Sequence, residues 1–348
     1  MPERPVFATD LNPAAAAALM ARLGQPAFRA RQLLNWIYRK RAASFPEMTD
    51  FPLALREKLA GEMELCGLQP LDIQTSQDGT QKALLELCDG RTIEAALMPA
   101  SKPGFYTVCV SSQVGCAMGC AFCATGAQGF QRNLTPGEIV DQVLFFARRL
   151  GDEGTLSNVV FMGMGEPLSN YADTMLAVER LNADWGFGLA ARAITISSAG
   201  WIPGIEKLAR EKLQVGLAVS LHAAAEPLRT RLVPLNKKHP LSRLIPACKE
   251  YVRLSGRRVS FEYCLLAGVN DSLEQARELA HLVQGINCHV NLISVNATDD
   301  DKFKPPAREA VLAFENELKR LGINATLRRS LGRDIDAACG QLKSRYAD

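Results

Sequence analysis

The chain has 348 residues, of which 47% are hydrophobic and 22% are charged, and its net charge is +3. These are the values of an ordinary globular protein. No apolar run reaches the ~18 residues of a membrane span. The ten cysteines do not make a secreted disulfide scaffold in a chain of this length, and the four histidines argue against a histidine-rich metal site. Since no signal-peptide core follows the start at Met1–Pro5, we expect a cytoplasmic protein that does not enter a membrane.

Residues 1–70 predict a small helical domain with a basic surface. Helices are expected at 13–23, 27–41 and 53–64. Residues 20–60 contain eight Lys or Arg and three Asp or Glu, which gives this segment a charge of +5. The basic run Arg39–Arg41 follows aromatic residues, a pattern that suits contact with a nucleic-acid backbone but also the solvated end of a helix. The segment is therefore predicted to be an accessory domain, with RNA binding as one of two interpretations of its charge.

Residues 71–101 change to the two-residue period of β-strands. Short strands are expected at 71–77, 80–87 and 92–98. Asp78-Gly79 and Asp89-Gly90 separate them and are hairpin-type turns. This segment therefore predicts a β meander and a linker to the rest of the chain.

From residue 102 to residue 334, strands alternate with helices, which is the signature of a parallel α/β domain. Strands are expected at 105–111, 158–162, 193–197, 214–220, 259–266 and 289–294. Helices are expected at 136–150, 173–183, 202–210, 241–254 and 273–284. Six such β/α units predict an α/β fold that forms a partial (β/α)6 TIM-like barrel. A last helix at 307–321 and a last strand at 324–328 lead to a C-terminal segment, residues 335–348.

Three cysteines in the loop after the first barrel strand are the most informative residues. Cys116, Cys120 and Cys123 have the spacing C-x3-C-x2-C. Thiolates at this pitch suit a [4Fe-4S] cluster, and three of them leave one iron open to bind a substrate or cofactor. The alternative is a zinc knuckle closed by Cys109, but the seven positions from Cys109 to Cys116 fit the usual zinc pairs poorly. The spacing therefore favours the cluster.

Polar residues follow the other predicted strands, at the edge where such barrels collect their active sites. They are Gly165 and Glu166 after the second strand, Ser197 at the third, Ser220, Leu221 and His222 at the fourth, and Asn296 after the sixth. Most of these residues also have a structural alternative. The glycine-rich segment could be an ordinary turn, Ser197 a helix cap, His222 a core residue and Asn296 a turn residue. Their meeting at one edge favours a single cofactor site.

Four strings resemble the radical-SAM RNA methyltransferases that methylate adenine at carbon 2. They are Cys109–Cys116, Gly165–Leu168, Ser220–His222 and Asp334–Leu342. The basic domain is also similar to the accessory RNA-binding region of that family. The resemblance implies a radical-SAM barrel with a [4Fe-4S] cluster on the three cysteines. It also implies S-adenosyl-L-methionine, used twice per turnover, bound by the strand-end residues.

The same resemblance implies the substrates and partners. These are 23S rRNA in the peptidyl-transferase region and tRNA at the adenosine 3′ of the anticodon. A reductant such as flavodoxin or ferredoxin is implied, and we expect a monomer. Two alternatives stay open: a resistance-type methyltransferase acting at adenine carbon 8, which shares these motifs, and a non-catalytic zinc protein that binds RNA.

The chemistry explains why further residues belong to the site. Carbon 2 of adenine is electron-poor and cannot attack a methyl sulfonium, whereas a cysteine thiolate can. The resemblance implies that Cys339 carries the methyl group, that a radical on this group adds to adenine, and that Cys109 releases the crosslinked product through a transient disulfide. It also makes Glu94 the base for the carbon 2 proton, although an outward-facing strand glutamate is the alternative. Cys66, Cys88, Cys248, Cys264 and Cys288 match no motif and are interpreted as packing residues.

Overall fold

The structure is a computed structural model that describes residues 6–296 and 302–342. The helices are α1 (Pro13–Arg22), α2 (Phe28–Tyr38), α3 (Leu53–Glu62), α4 (Ala124–Ala127), α5 (Pro136–Leu150), α6 (Tyr171–Asn182), α7 (Ile202–Leu208), α8 (Glu226–Leu232), α9 (Leu241–Ser255), α10 (Leu273–Val283) and α11 (Arg308–Arg320). The strands are β1 (Leu68–Thr75), β2 (Gln81–Leu87), β3 (Thr92–Pro99), β4 (Phe105–Cys109), β5 (Gln113–Gly115), β6 (Phe130–Asn133), β7 (Thr155–Phe161), β8 (Ile194–Ser198), β9 (Gly216–Ser220), β10 (Val259–Leu265), β11 (Cys288–Ser294) and β12 (Ala325–Leu327). No helix in these two ranges is both long and apolar enough to cross a bilayer.

A mixed sheet of ten strands runs through the centre of the molecule in the order β1-β2-β3-β4-β7-β8-β9-β10-β11-β12. Within this sheet, β4, β7, β8, β9, β10, β11 and β12 pair in parallel, as the alternation of strands and helices predicted. β1 and β12 lie at opposite ends of the sheet, so the barrel is open. The prediction of a partial α/β barrel is confirmed, and β12 adds a seventh parallel strand to the expected six.

The β meander extends this sheet without interruption. β1, β2 and β3 pair antiparallel, and β3 continues onto β4 with Ala96 opposite Cys109. Residues 92–97 of β3 are buried throughout, because neighbouring elements cover both faces of the strand. The meander therefore forms one wall of the barrel. The last residues of the predicted C-terminal segment, 343–348, lie outside the described part of the chain.

A small hairpin that the sequence did not predict encloses the cysteine motif. β5 pairs with β6, and the backbone N–H of Cys116 donates to the carbonyl of Gly129 at 2.8 Å. Gly115 has φ of +70°, and a Cβ at this position would collide with the Gly129 carbonyl. Strands of three and four residues are too short to show a period in the sequence, which explains the omission.

Arginines of the basic segment hold the N-terminal helices against the barrel. The guanidinium of Arg39 donates to the carbonyls of Phe187 at 3.0 Å and Asp184 at 2.9 Å. Arg41 donates to the carbonyl of Ala147 at 3.0 Å. Both side chains therefore bind carbonyls within the protein, and contact of this run with RNA stays a prediction.

A buried carboxyl joins the same two parts of the molecule. Asp141 of α5 is fully buried and accepts a hydrogen bond from the backbone N–H of Gly67 at 2.9 Å. Burial raises the pKa of Asp141 to about 7, above its ordinary value of 3.8, because the charged form loses its hydration.

This shift predicts how stability depends on pH. The folded protein keeps a proton on Asp141 at pH values where the unfolded chain has lost it. The contribution of Asp141 to the free energy of unfolding is therefore fully present below about pH 4. It is lost as pH rises toward 7, at no more than about 1.4 kcal/mol per pH unit. Asp141→Asn should remove this part of the pH dependence. Urea unfolding of both proteins from pH 4 to pH 7 tests it, and parallel pH profiles would contradict the assignment.

Candidate active site

A cavity lies at the carboxyl ends of the parallel strands, where barrels of this kind place their active sites. It contains about 930 Å³ of space between atoms, part of which is open to solvent. The sequence-predicted residues that line it are Cys116, Cys120, Cys123, Gly165, Glu166, Ser197, Ser220, His222 and Cys339. The fold therefore brings the motif cysteines and most of the strand-end residues into one space.

The three motif cysteines line this cavity as half-buried free thiols. Burial raises the pKa of Cys116 to about 12 and also raises the pKa of Cys120, and the neighbouring thiolate charges add to both shifts. Such thiols lose their protons readily only when a bound metal offsets the negative charge. The donor set therefore fits a metal centre better than it fits free thiolates.

The arrangement of these thiols fits a cluster. In residues 6–296 and 302–342, no group of three or more His, Cys, Asp or Glu side chains is arranged to hold a single metal ion. In a [4Fe-4S] cluster each thiolate binds a different iron, so the cysteines surround a larger space. The motif cysteines line such a space, whereas Cys109 lines a different one.

Glu166 closes the turn between β7 and α6 through its carboxylate. One oxygen accepts from the backbone N–H of Leu168 at 3.0 Å and the other accepts from that of Ala199 at 2.6 Å. Burial raises the pKa of Glu166 to about 7. Gly165 has φ of +102°, and a Cβ there would lie 2.6 Å from the side chain of Gln113. The turn therefore requires glycine at this position and keeps the cavity wall close to the cysteine hairpin.

The structure shows which serine caps the helix that follows β8. Ser198, and not Ser197, accepts from the backbone N–H groups of Gly200 and Trp201, each at 3.0 Å, just before α7. Ser197 lines the cavity instead. Its interpretation as a helix cap is therefore wrong, and its contact with a cofactor stays a prediction.

His222 is a neutral donor in the cavity wall. Its Nδ1 accepts from the backbone N–H of Cys264 at 3.0 Å, which leaves the proton on Nε2. Burial lowers the pKa of His222 to about 3, with a smaller contribution from Arg229. The backbone at His222 has φ of +59°, an uncommon conformation for a residue other than glycine. The adjacent Leu221 packs its side chain into the apolar core, so the structure does not bring that side chain to the cavity.

Asn296 contacts the C-terminal segment and does not appear in the cavity lining. Its Nδ2 donates to the carbonyl of Cys339 at 3.3 Å, and its Oδ1 accepts from Nε of Arg333 at 2.9 Å. In this structure the asparagine therefore positions the backbone of Cys339, a role that its place after β11 did not indicate.

The tip of the β1–β2 hairpin, residues 76–80, holds the same segment from the other side. Asp334 accepts from the Ser76 hydroxyl at 2.5 Å and from the backbone N–H of Gln77 at 3.1 Å. Asp78 accepts from the backbone N–H of Gly332 at 2.9 Å. At its far end the segment is bound to α4, where the N–H of Ala124 donates to the carbonyl of Gly340 at 2.8 Å. Cys339 thus lies on a segment fixed at both ends.

A second space meets the first at Cys339. It contains about 570 Å³ between atoms and is lined by Cys109, by apolar side chains of the barrel and by the C-terminal segment. Cys339 borders both spaces, together with Met162, Ile293 and Arg328. Cys109 is buried, Cys339 is exposed, and both are free thiols. The structure therefore places Cys339 between the motif cysteines and Cys109.

Arg328 is a site residue that the sequence analysis missed. Its Nη1 lies 3.8 Å from Oε2 of Glu262 and 3.4 Å from the sulfur of Met162. The pKa of Arg328 is raised, chiefly by the negative charge of a thiolate at Cys339. Burial raises the pKa of Cys109 to about 12, and the charge of Arg328 opposes that shift. An arginine just after a short last strand gave no signal in the sequence.

Glu94 and two cysteines lie in environments that the sequence analysis did not expect. Glu94 is buried in β3, with its carboxylate 3.3 Å from Nζ of Lys82, so the outward-facing alternative is wrong. Lys82 also donates to the carbonyl of Asp336 at 3.4 Å, which links this ion pair to the C-terminal segment. Cys88 is exposed and is not a packing residue, and Cys264 lines the first cavity.

Comparison with known proteins identifies the family. The Radical SAM superfamily profile matches residues 110–282, and the profile of the Ribosomal RNA large subunit methyltransferase N-terminal domain matches residues 9–65. The chain is 45% identical over 330 residues to the "Probable dual-specificity RNA methyltransferase RlmN" of Lachnospira eligens, which covers 94% of this chain and 93% of the relative. It is 48% identical over 323 residues to the protein of the same name from Staphylococcus aureus strain JH9, which covers 92% of this chain and 88% of the relative.

A solved structure agrees over the whole length. The crystal structure of a radical SAM methyltransferase from Sphaerobacter thermophilus matches with a TM-score of 0.95 and 49% sequence identity, covering 98% of this chain and 100% of that chain. The family uses a [4Fe-4S] cluster and S-adenosyl-L-methionine, which decides against the non-catalytic zinc alternative. Because relatives at this identity span nearly the whole of both chains, the protein belongs to the radical SAM family of S-adenosylmethionine-dependent RNA methyltransferases.

Proposed function

We propose that this enzyme adds a methyl group to carbon 2 of adenine in 23S rRNA, in the peptidyl-transferase region, and in tRNA, at the adenosine 3′ of the anticodon. The names of the relatives, dual-specificity RNA methyltransferases, support two RNA substrates. The observation that carries the proposal is the position of Cys339, which borders both the cavity of the motif cysteines and the space lined by Cys109. A methyl carrier that must first meet the cofactor and then a resolving thiol requires this position.

Cys116, Cys120 and Cys123 hold the cluster in this proposal, and Gly165, Glu166, Ser197, Ser220, His222 and the backbone at Leu221 form the wall on which S-adenosyl-L-methionine binds. When bound, these groups supply a methyl group for Cys339 and, from a second S-adenosyl-L-methionine, a radical that removes hydrogen from the S-methyl group. Asn296 acts on this site by fixing the carbonyl of Cys339. The residues of the chain orient the reacting groups, shield them from solvent and transfer protons.

Cys339 acts first as a nucleophile. Its side chain is exposed and borders the cavity of the motif cysteines beside Arg328. The thiolate attacks the methyl carbon of S-adenosyl-L-methionine, which leaves as S-adenosylhomocysteine, and S-methylcysteine remains. The bonds from Asn296 and from the hairpin tip keep the new methyl group at the border of the two spaces.

Cys109 acts last. Adenine is first joined to the methylene group on Cys339, and the adduct must lose its carbon 2 proton and one electron, which the cluster would accept. The thiolate of Cys109 then attacks the sulfur of Cys339, and a disulfide forms as the sulfur–carbon bond breaks. The leaving carbon keeps the electron pair and takes up a proton, which makes it the methyl group of the released base. Cys109 is buried and its pKa is raised, so this attack depends on the nearby guanidinium of Arg328. Burial also protects this thiol from premature oxidation.

Glu94 is proposed as the acceptor of the carbon 2 proton. Its carboxylate lies 3.3 Å from Nζ of Lys82 in the buried wall that β3 forms. Lys82 also reaches the carbonyl of Asp336, so the carboxylate and the segment that carries Cys339 are held by one side chain.

We divide the chain into an RNA-binding domain at 1–70, the meander and linker at 71–101, the core at 102–334 and the carrier segment at 335–348. The protein acts as a monomer in the cytoplasm, where thiols stay reduced, and takes its electrons from a carrier such as flavodoxin or ferredoxin. Mass mapping of the modified nucleotide tests the position of the methyl group, and methylation at carbon 8 would contradict the proposal.

The cluster assignment predicts a selective loss of iron. Cys116→Ala, Cys120→Ala and Cys123→Ala should each lose most of the iron, because each removes a ligand. Cys109→Ala should keep it. Cys264→Ala is the matched control, because it removes a thiol that lines the same cavity outside the motif. Iron content of anaerobically purified protein measures the effect, and loss of iron in Cys109→Ala would show that the ligand set is wrong.

The roles of the two other cysteines predict different failures. Cys339→Ala should neither methylate RNA nor bind it covalently, because no carbon bridge can form. Cys109→Ala should carry the reaction to the crosslink and stop there, so that the protein runs with RNA attached on a denaturing gel. Cys264→Ala again serves as control and should turn over. Absence of crosslinked RNA in the Cys109→Ala reaction, under conditions where the unaltered enzyme is active, would refute the role of Cys109.

The RNA-binding role of the N-terminal domain predicts a change in salt dependence. Arg31 and Lys58 are exposed cations of this domain with no side-chain partner in the described residues. Arg31→Glu/Lys58→Glu should weaken RNA binding and lower the slope of log affinity against log salt by about two, since two phosphate contacts are lost. Lys212→Glu/Lys249→Glu makes the same charge change on the barrel. Equal slopes for both double variants would contradict the proposal.

A further inference from the structure

One short segment, residues 232–235, contacts the cysteine loop outside the cavity. The backbone N–H of Ala121 donates to the carbonyl of Leu232 at 2.9 Å. A Cβ on Gly119 would lie 4.0 Å from the ring of Pro234. Met118 packs in one apolar cluster with Leu232, Val233 and Leu235. This segment is therefore in direct contact with the loop that carries the three cluster ligands.

The chain around this segment is strongly basic. Residues 229–243 contain five Lys or Arg and no Asp or Glu. Arg229 is buried and binds backbone carbonyls, including that of Ala199 at 2.8 Å. The other four cations are exposed and form what we name the basic rim: Arg231, Lys237, Lys238 and Arg243. None of these four has an ion-pair partner in the described residues.

Glu206 and Glu250 line one pocket with Arg243, whereas no acidic side chain of the described residues pairs with Arg231, Lys237 or Lys238. Glu226 lies next to the basic rim in the chain but binds elsewhere. Glu226, which precedes it on α8, accepts from Nδ2 of Asn236 at 2.6 Å and from the backbone N–H of Ser242 at 3.0 Å. Its carboxylate is thus occupied in holding the segment together. Lys238 lies over the ring of Trp201, with Nζ 5.0 Å from the ring centroid. This contact holds the Lys238 side chain against the protein surface.

The basic rim is close to the cluster ligands. Residues 234–237 form a 3-10 helix, in which three residues advance by about 6 Å, so Lys237 stands within that rise of the Pro234 contact. Ala117 and Gly119 of the cysteine loop are exposed. Solvent therefore reaches the outer face of the loop, while the cysteine side chains line the cavity on its inner face.

The geometry favours a protein partner over the RNA substrate at this surface. The cysteine loop lies between the basic rim and the cavity that contains Cys339, and an adenine must enter that cavity. An electron needs only proximity to the cluster. Lys and Arg beside a redox centre attract an acidic partner and raise its rate of association.

We propose that the basic rim is the docking surface for an acidic one-electron carrier protein, which gives one electron to the cluster and is itself oxidised by one electron. This inference rests on the electron requirement of the proposed function and adds the location and the charge of the partner's surface. It makes Arg231 and Lys237 specificity residues for the carrier, without any part in RNA binding or in methyl transfer.

Charge reversal of the basic rim tests the proposal. Arg231→Glu/Lys237→Glu changes two exposed side chains that make no described side-chain contact. Reduced flavodoxin is the probe, mixed with oxidised holoenzyme, and the loss of cluster absorbance is followed by stopped flow. At low ionic strength the variant should be reduced about tenfold more slowly than the unaltered enzyme. The difference should shrink as salt screens the charges.

Two controls make the result specific. Dithionite, a small reductant, should reduce the variant as fast as the unaltered enzyme, which shows that the cluster is intact. Arg31→Glu/Lys58→Glu carries the same charge change on the N-terminal domain and should be reduced by flavodoxin at the normal rate. With dithionite as the electron source, the rim variant should still methylate RNA. A failure of RNA methylation in the unaltered enzyme would thus count against the proposed function and not against the docking surface.

Two outcomes would overturn the proposal. One is an unchanged rate of reduction by flavodoxin at low ionic strength. The other is a loss of RNA affinity in Arg231→Glu/Lys237→Glu with normal reduction, which would assign the basic rim to the nucleic acid.

Discussion

The position of Cys339 is the constraint on which the rest of the structure depends. In the proposed mechanism this one thiol must meet the cofactor, the RNA and Cys109, and it borders both the cavity of the motif cysteines and the space lined by Cys109. A short terminal segment cannot hold such a position alone, because fixing each residue costs about 1–2 kcal/mol of conformational entropy. The segment is therefore bound at both ends, to the hairpin tip through Asp334 and Gly332 and to α4 through Gly340. Gly332 has φ of +67° and lies against Thr80, so a side chain at this position would push the segment away from the meander.

This constraint gives the β meander its function. It extends the barrel sheet by three antiparallel strands, places Ala96 beside Cys109 and presents the hairpin tip to the C-terminal segment. The buried pair of Lys82 and Glu94 connects the strands of the meander to Asp336. A buried pair is costly to break, since loss of one partner leaves an unpaired charge. The meander therefore supports both Cys339, the proposed methyl carrier, and Glu94, the proposed base, with the same strands.

The sequence was sufficient for the barrel and for the thiols. Strong alternation of strands and helices predicted the parallel strands within a few residues, and α5 was predicted with both of its ends correct. The spacing of Cys116, Cys120 and Cys123 predicted a shared site, and all three residues line the same cavity in the structure. What it could not show were contacts between distant parts of the chain. The docking role of Arg39, the place of Arg328 between two thiols and the bond from Asn296 to Cys339 depend on residues more than 40 positions away or on the closure of the sheet. Local periodicity carries no signal for such contacts.

The methylation state of Cys339 tests the central claim most directly. Enzyme with a reconstituted cluster is incubated with S-adenosyl-L-methionine that carries a deuterated methyl group, without RNA, and is then digested and mapped by mass spectrometry. The account predicts one deuterated methyl group on the peptide that contains Cys339, none on the peptide that contains Cys109, and transfer of the labelled carbon to RNA in a later step. Labelled RNA from an enzyme that never carries the methyl group on Cys339, or a methyl group found on Cys109 instead, would contradict it.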